Sequence, residues 1–184
     1  TYVYDLSTRM WHERSTRDEL TDVANRWEVL FATSAFGLIL CGSVFTPRVF
    51  TLDLYRYYEW DGRPIVRLHQ SPIYYEDYRT LFHTEFQVDM AVGVGTTLNN
   101  PIISGIQNGQ GFDPKIMMQF SDDSGNTWSS EDWTDLGKTG EYQSRARWRR
   151  LGSSSARVYR IKVSDPVEVV IVGARLVFNQ GRLK

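Results

Sequence analysis

Phe86, Val88, Met90, Val92 and Val94 alternate with Gln87, Asp89, Ala91 and Gly93. A period of two over this stretch predicts a strand with one face buried. Arg157-Val158-Tyr159-Arg160-Ile161-Lys162-Val163 alternates in the same way, and Val167 to Phe178 is rich in β-branched residues, so both read as strands. Turn chemistry separates such runs at Asp61-Gly62, Asn108-Gly109, Ser124-Gly125 and Asp165-Pro166. The uncharged stretch Val29 to Phe45 carries Thr33, Ser34, Gly37, Gly42 and Ser43. Those interruptions predict two buried strands turning at Ala35-Phe36-Gly37 rather than a membrane helix. Only Arg17 to Asn25 offers a helix, capped by Ser15 or Thr16, and the same residues read equally as a polar loop.

The expected fold class is therefore all-β. Val3-Tyr4-Asp5-Leu6 followed by Trp11 resembles Val49-Phe50 through Asp53-Leu54 followed by Trp60, at an offset of 46 to 49 residues. That period is the spacing of propeller blades, and two partial units cannot close a ring. Beyond Leu81 the strands lengthen and the loops turn Gly- and Asn-rich, at Asn99-Asn100-Pro101 and Gly105 to Gly111. The expectation is a boundary around residues 76–84. It divides an incomplete, propeller-like hairpin region over 1–80 from an antiparallel, jelly-roll-like β-sandwich over 81–184. Opening at Thr1 inside a strand-like pattern, the chain is expected to be a fragment of a longer protein.

Composition narrows the function. With 184 residues, 41% hydrophobic and 23% charged, the chain can bury a core and is not of the disordered class. A single cysteine, Cys41, rules out an internal disulfide and a cysteine-built zinc site. The net charge of −1 is unevenly spread. Residues 1–136 hold 10 Lys/Arg against 19 Asp/Glu, a net of −9, and residues 137–184 hold 11 against 3, a net of +8. Such a split suits a polarised surface that meets another surface better than a free nucleic-acid binder.

The most specific short motif is Ser121-Asp122-Asp123-Ser124-Gly125-Asn126-Thr127-Trp128, which fits the Asp-box pattern Ser-x-Asp-x-Gly-x-Thr-Trp. Ser121, Asp123, Gly125, Thr127 and Trp128 are expected to build a self-stabilised hairpin turn. Asp123 would accept backbone N–H bonds, Gly125 would supply an unusual backbone angle, and Trp128 would fold under the turn. The motif resembles the turns of sialidases and other β-proteins, where it is structural. The basic run Arg145-Ala146-Arg147-Trp148-Arg149-Arg150 places Arg145, Arg147 and Arg149 on one strand face and Ala146, Trp148 and Arg150 on the other. It is a candidate protein-contact surface, or a solvated face cross-paired with carboxylates such as Glu141 and Asp135. Tyr57 and Trp60, within the aromatic run Tyr55 to Trp60, are candidates for the same contact role. That run also reads as a sugar-stacking surface or as ordinary packing.

His12, His69 and His83 have no metal-ligand spacing, and the adjacent pairs Asp122/Asp123 and Glu131/Asp132 point to opposite faces of a strand. No Gly-x-Ser-x-Gly, phosphate loop or dinucleotide fingerprint is present. The sequence thus predicts no catalytic residues, no metal, no cofactor and no enzyme.

Several ordered elements carry a family resemblance. They are Ser121 to Ser129, Leu136-Gly137-Lys138-Thr139-Gly140-Glu141-Tyr142, and Arg147-Trp148-Arg149-Arg150-Leu151-Gly152. Arg157-Val158-Tyr159-Arg160, Val163-Ser164-Asp165-Pro166 and Ile171 to Leu176 follow. The series resembles the C-terminal part of the packaged-DNA stabilisation proteins of short-tailed phages, the tail hubs or stoppers. The likeness is strong over 115–176. It is weaker over 1–75, through Tyr4-Asp5-Leu6, Leu52-Asp53-Leu54 and Gly62-Arg63-Pro64-Ile65. The resemblance implies a structural virion protein that helps close the channel below the portal and retain DNA. It also implies self-association in a ring, with portal, adaptor and tail spike, fibre or needle proteins as partners. Its location would be the virion tail, after assembly in host cytoplasm, with no membrane contact. Direct DNA contact is motivated only by the basic tail. A carbohydrate-binding or sialidase-like β-module is the alternative, motivated by the Asp-box and the aromatics.

Overall fold

The computed structural model describes residues 1–18, 23–53, 55–77, 79–91, 111–138, 140–141 and 145–181. These residues form strands and turns without a helix, and so no helix long and apolar enough to cross a membrane. The chain divides into two compact units, Thr1–Arg56 and Tyr57–Lys184.

The first unit holds three small antiparallel sheets. Strands β1 (Tyr2–Asp5) and β2 (Met10–Glu13) form a hairpin. The Asp5 carboxylate organises its turn by accepting bonds from the Ser7 amide (2.8 Å), the Ser7 hydroxyl (2.7 Å) and the Thr8 hydroxyl (2.9 Å). Those bonds, led by Ser7, hold Asp5 down to a pKa of about 2. Strands β3 (Ser15–Arg17) and β4 (Ala24–Arg26) pair through Thr16↔Asn25 and Arg17↔Ala24. This hairpin replaces the short helix expected around Arg17–Asn25. Thr16, read as a cap, uses its hydroxyl to accept the Glu28 amide (2.9 Å), and the Asp18 amide donates across the strands to Val23 (2.9 Å). Residues 19–22 of that stretch lie outside the described residues.

Strands β5 (Val29–Ala35), β6 (Leu38–Ser43) and β7 (Val49–Thr51) make the third sheet. The β5–β6 turn is Phe36-Gly37, with φ of 55° and 74°. Positive φ at both central residues is the signature of the tight hairpin turn that matches strand twist. Gly42 is required for packing. A Cβ there would lie 2.3 Å from the Phe31 ring, which occupies its place. Cys41 of β6 is fully buried, but Leu30, Phe31, Leu38 and Ile39 are about half-exposed, so the hairpin forms where the uncharged stretch suggested and its strands are not the buried pair expected.

The second unit is a β-sandwich. One sheet centres on β10 (Leu81–Met90), flanked on one side by β13 (Ala146–Arg149) and β14 (Ser153–Ser154) and on the other by β16 (Ile171–Gln180). The other runs β12 (Asp132–Asp135), β11 (Lys115–Ser121), β15 (Ala156–Val163) and β8 (Arg67–Gln70), with β9 (Tyr74–Tyr75) also pairing β15. Every pairing is antiparallel. The inward positions Phe86 and Val88 of β10, Ile116 and Met118 of β11, Ala146 and Trp148 of β13, and Tyr159, Ile161 and Val163 of β15 form the core. Phe86 stacks between Tyr159 (4.5 Å between centroids) and Trp148 (5.8 Å). Val92 and Val94, read as continuing the β10 pattern, lie outside the described residues.

An irregularity in β10 decides what faces where. The register steps from His83↔Phe178 to Glu85↔Val177, leaving Thr84 as the extra residue of a bulge. A bulge shifts the alternation by one. Leu81 and His83 therefore point inward before it, and Phe86 and Val88 after it.

Candidate functional site

Three features of the sandwich unit bear on function. The first is the turn between β11 and β12. The Ser121 hydroxyl donates to Asp123 Oδ1 (2.6 Å) and accepts the Gly125 amide (2.8 Å). The Asp123 carboxylate accepts the Thr127 amide (2.8 Å) and hydroxyl (2.6 Å), and the Trp128 indole N–H donates to the Gly125 carbonyl (3.0 Å). The Ser121 hydroxyl and then Thr127 hold Asp123 down to a pKa of about 2. Ser124 and Gly125 carry φ of 62° and 97°, which lets the chain reverse this tightly. The Trp128 ring is covered by the Arg160 guanidinium, 3.5 Å from its centroid.

The second is a buried polar network behind that turn. Arg157 is 2% exposed and donates from Nε and Nη2 to the two carboxylate oxygens of Asp122, and from Nη1 to the Leu151 carbonyl. Its guanidinium lies 4.0 Å from the Phe120 ring centroid. The bidentate pairing and the ring face satisfy a charge that would otherwise be costly to bury. His83 is also 2% exposed, hydrogen-bonded to the Ser154 hydroxyl (2.9 Å) and the Tyr159 hydroxyl (3.0 Å). Burial first, and the neighbouring Arg157 charge second, push His83 down to a pKa of about 4. Burial also pushes Tyr159 up to about 12. At neutral pH both groups are uncharged, and the network ties β10 and β14 of one sheet to β15 of the other. The sequence marks His83 only as a histidine without metal-ligand spacing, suited to a hairpin surface or a core edge, and nothing in its neighbours in the chain signals this role.

The third is the outer face of the β13–β10–β16 sheet. Ala146 and Trp148 turn into the core, so Arg147 and Arg149 face outward. Glu85 lies between them, with Arg149 Nε 2.9 Å from Oε2 and Arg147 Nε 3.7 Å from Oε1. Arg149's hydrogen bond, and the charges of Arg147, Arg149 and Arg175, hold the Glu85 carboxyl below its ordinary range. The carboxylates offered by the sequence for this role are engaged elsewhere. Asp135 binds Lys115, and Glu141 accepts the Lys138 amide (3.0 Å). Arg145 is exposed just ahead of β13. Arg150 is exposed just after it, with φ of 59°, its amide donating to the Thr84 carbonyl (3.0 Å) at the bulge. Glu85 and Arg175 were not singled out by sequence. The outward phase of the Phe86–Val88 alternation marks Glu85, but its pairing with residues sixty positions away is a matter of register.

Tyr57 and Trp60 sit on a small hairpin closed at Asp61-Gly62. The Ile65 amide donates to the Tyr57 carbonyl (2.8 Å) and the Glu59 amide to Arg63 (2.8 Å). The Tyr57 ring lies under the Arg67 guanidinium at 4.9 Å, and Trp60 is 48% exposed. Among the described residues no cluster of His, Cys, Asp and Glu can hold a metal ion.

A family model described as "Bacteriophage P22 Gp10, beta-sandwich" matches residues 66–178. The matched span contains β8 to β15 whole and most of β16, so it covers the sandwich and more than half of the chain. No curated protein matches the chain.

Proposed function

The chain belongs to the bacteriophage P22 Gp10 β-sandwich family, and from that membership we propose that it is a structural protein of a short-tailed phage virion, part of the tail hub that closes the head. In this reading it helps retain packaged DNA and attach tail parts after assembly in host cytoplasm. Its partners are the portal or adaptor above, spike, fibre or needle proteins below, and further copies in a ring. It performs no catalysis. Its two working parts are a propeller-like region in the first unit and the sandwich, to which β8 and β9 also belong. The aspartate turn of Ser121, Asp123, Gly125, Thr127 and Trp128 is scaffold. Arg145, Arg147, Arg149, Arg150, Tyr57 and Trp60 contribute protein contacts.

The family match over the sandwich is the observation that carries this reading. The glycan-binding alternative keeps the exposed aromatics Tyr55 and Trp60 in its favour, but no family match stands behind it. The test uses DNA-filled heads that carry portal and adaptor but no closing protein. Added protein is expected to co-sediment with the heads and to slow DNA loss. Protein that stays in the supernatant, with DNA leaking at the unprotected rate, would overturn the tail role.

A further inference from the structure

We propose that the outer face of the β13–β10–β16 sheet docks an acidic polypeptide surface, with Arg147, Arg149 and Arg175 as its anion-binding residues and Glu85 as a built-in competitor. The proposal rests on the tail reading for the kind of partner, a protein.

The register puts these groups in rows. Glu85 is opposite Arg149 on β13 and Val177 on β16, and Gln87 is opposite Arg147 and Arg175. Arg147 and Arg149 are two residues apart on one strand, a separation of about 6.6 Å, and Arg175 lies two strands over, about 9.6 Å. A guanidinium carries five N–H donors. Around Glu85, Arg149 gives its carboxylate a hydrogen bond, Arg147 lies 3.7 Å away, and Arg175 acts on it through charge alone. The Arg147 Nε is shut off from water and makes no hydrogen bond. An atom closed to water is closed to a partner as well, so the surplus is one of charge: three arginines stand against Glu85, and Arg149 and Arg175 are exposed. The other carboxylate on the sheet's strands, Asp89, accepts the Gln87 side-chain amide (2.6 Å).

Two observations favour a protein over a nucleic acid. Glu85 and Asp89 lie among the arginines, and a phosphodiester chain, charged at every nucleotide, would have to cross them. Separate carboxylates on a protein surface can take Arg147, Arg149 and Arg175 in turn. Phe82, 51% exposed, and Val177 lie on the same outward phase of β10 and β16. Arginine beside an exposed aromatic side chain is the composition of protein interfaces.

The experiment titrates labelled decaglutamate, and separately a 20-base-pair DNA duplex, with the whole chain at low salt. Glu85→Gln should bind decaglutamate about three- to tenfold tighter, because the internal competitor is gone. The double variant Arg147→Ser/Arg149→Ser should bind at least about tenfold more weakly. Arg175→Ser, on a different strand, should weaken binding even if the double variant does not fold, which circular dichroism checks. Unchanged or weaker binding by Glu85→Gln, preference for the duplex, or no binding of decaglutamate at all would overturn the proposal. If decaglutamate fails while the protein still adds to DNA-filled heads, the docking face is wrong and the tail role stands. If the head assay fails while the peptide results hold, the reverse is true.

Discussion

Acidification should destabilise the sandwich unit through His83. In the folded chain the imidazole is buried, bonded to two hydroxyls and close to the Arg157 charge, and its pKa is about 4 against an ordinary 6.5. Above pH 6.5 both folded and unfolded chains hold it neutral, and its contribution is fully present. Between 6.5 and 4 only the unfolded chain takes up the proton, so stability is lost as pH falls through that window. Below 4 both forms are protonated and the loss levels off. The gap corresponds to about 3 kcal/mol in all, with about 2 kcal/mol of it gone by pH 5. Urea unfolding followed by tryptophan fluorescence at pH 7, 6, 5 and 4.5 measures it, with wild type compared against His83→Gln. The variant is expected to be less stable at pH 7 but to lose about 2 kcal/mol less between pH 7 and 5. The other histidines are present in both proteins and cancel. Asp5 and Asp123, held to about 2, lose their contribution at lower pH, as the medium falls from the ordinary carboxylate range towards 2. Equal losses in wild type and His83→Gln would refute the reasoning.

Asp122→Ala strands the buried Arg157 guanidinium and should cost about 3–5 kcal/mol. Arg157→Met leaves a half-exposed carboxylate and one orphaned carbonyl, and should cost less, about 1–3 kcal/mol. Urea midpoints in the opposite order would contradict the account of that pair. Gly125→Ala should cost about 1–2 kcal/mol from its φ of 97° alone, since the nearest atom to a new Cβ is an ordinary 3.6 Å away. A thermal melt reads it. Gly42→Ala should cost about 1–3 kcal/mol for the opposite reason, a clash with the Phe31 ring, and hydrogen exchange in β5 and β6 should report it. Phe86→Ala, which empties the stack between Tyr159 and Trp148, should cost about 3–5 kcal/mol by urea unfolding.

The parts of the fold that the residues declare are those whose physics is short in range. The alternation through Phe86, Val88 and Met90, and that of Arg157 to Val163, is the inside–outside phase of β10 and β15. The hairpin around Phe36-Gly37 follows from two apolar runs and one glycine. The bonds of the aspartate turn span at most four residues, so type and spacing carry them. Strand partners are a different matter. β10 pairs with β16 and β8 with β15 across about ninety residues, and no local pattern chooses among candidate registers. The Thr84 bulge is invisible for the same reason. It is defined by the partner strand, and it sets which of Glu85 and Phe86 meets the arginines. Burial of Arg157 is likewise readable only once Asp122 and the Leu151 carbonyl are in place. The helix suggested over Arg17–Asn25 rested on cap-forming residues, and Thr16 spent its hydroxyl on the Glu28 amide instead.

Cys41 turns the first unit into its own reporter. It is the chain's single thiol, it has no exposure to solvent, and burial pushes its pKa up. A thiol reagent can therefore react only when β6 parts from its neighbours. The observed labelling rate is the rate of an unprotected thiolate multiplied by the fraction of time the unit stands open, as long as reclosing outruns the chemistry. Because the sandwich unit contains no thiol, its own opening leaves no mark in this measurement. One untouched residue thus provides a clock for the local breathing of Thr1–Arg56 in native buffer, with no denaturant and no introduced label.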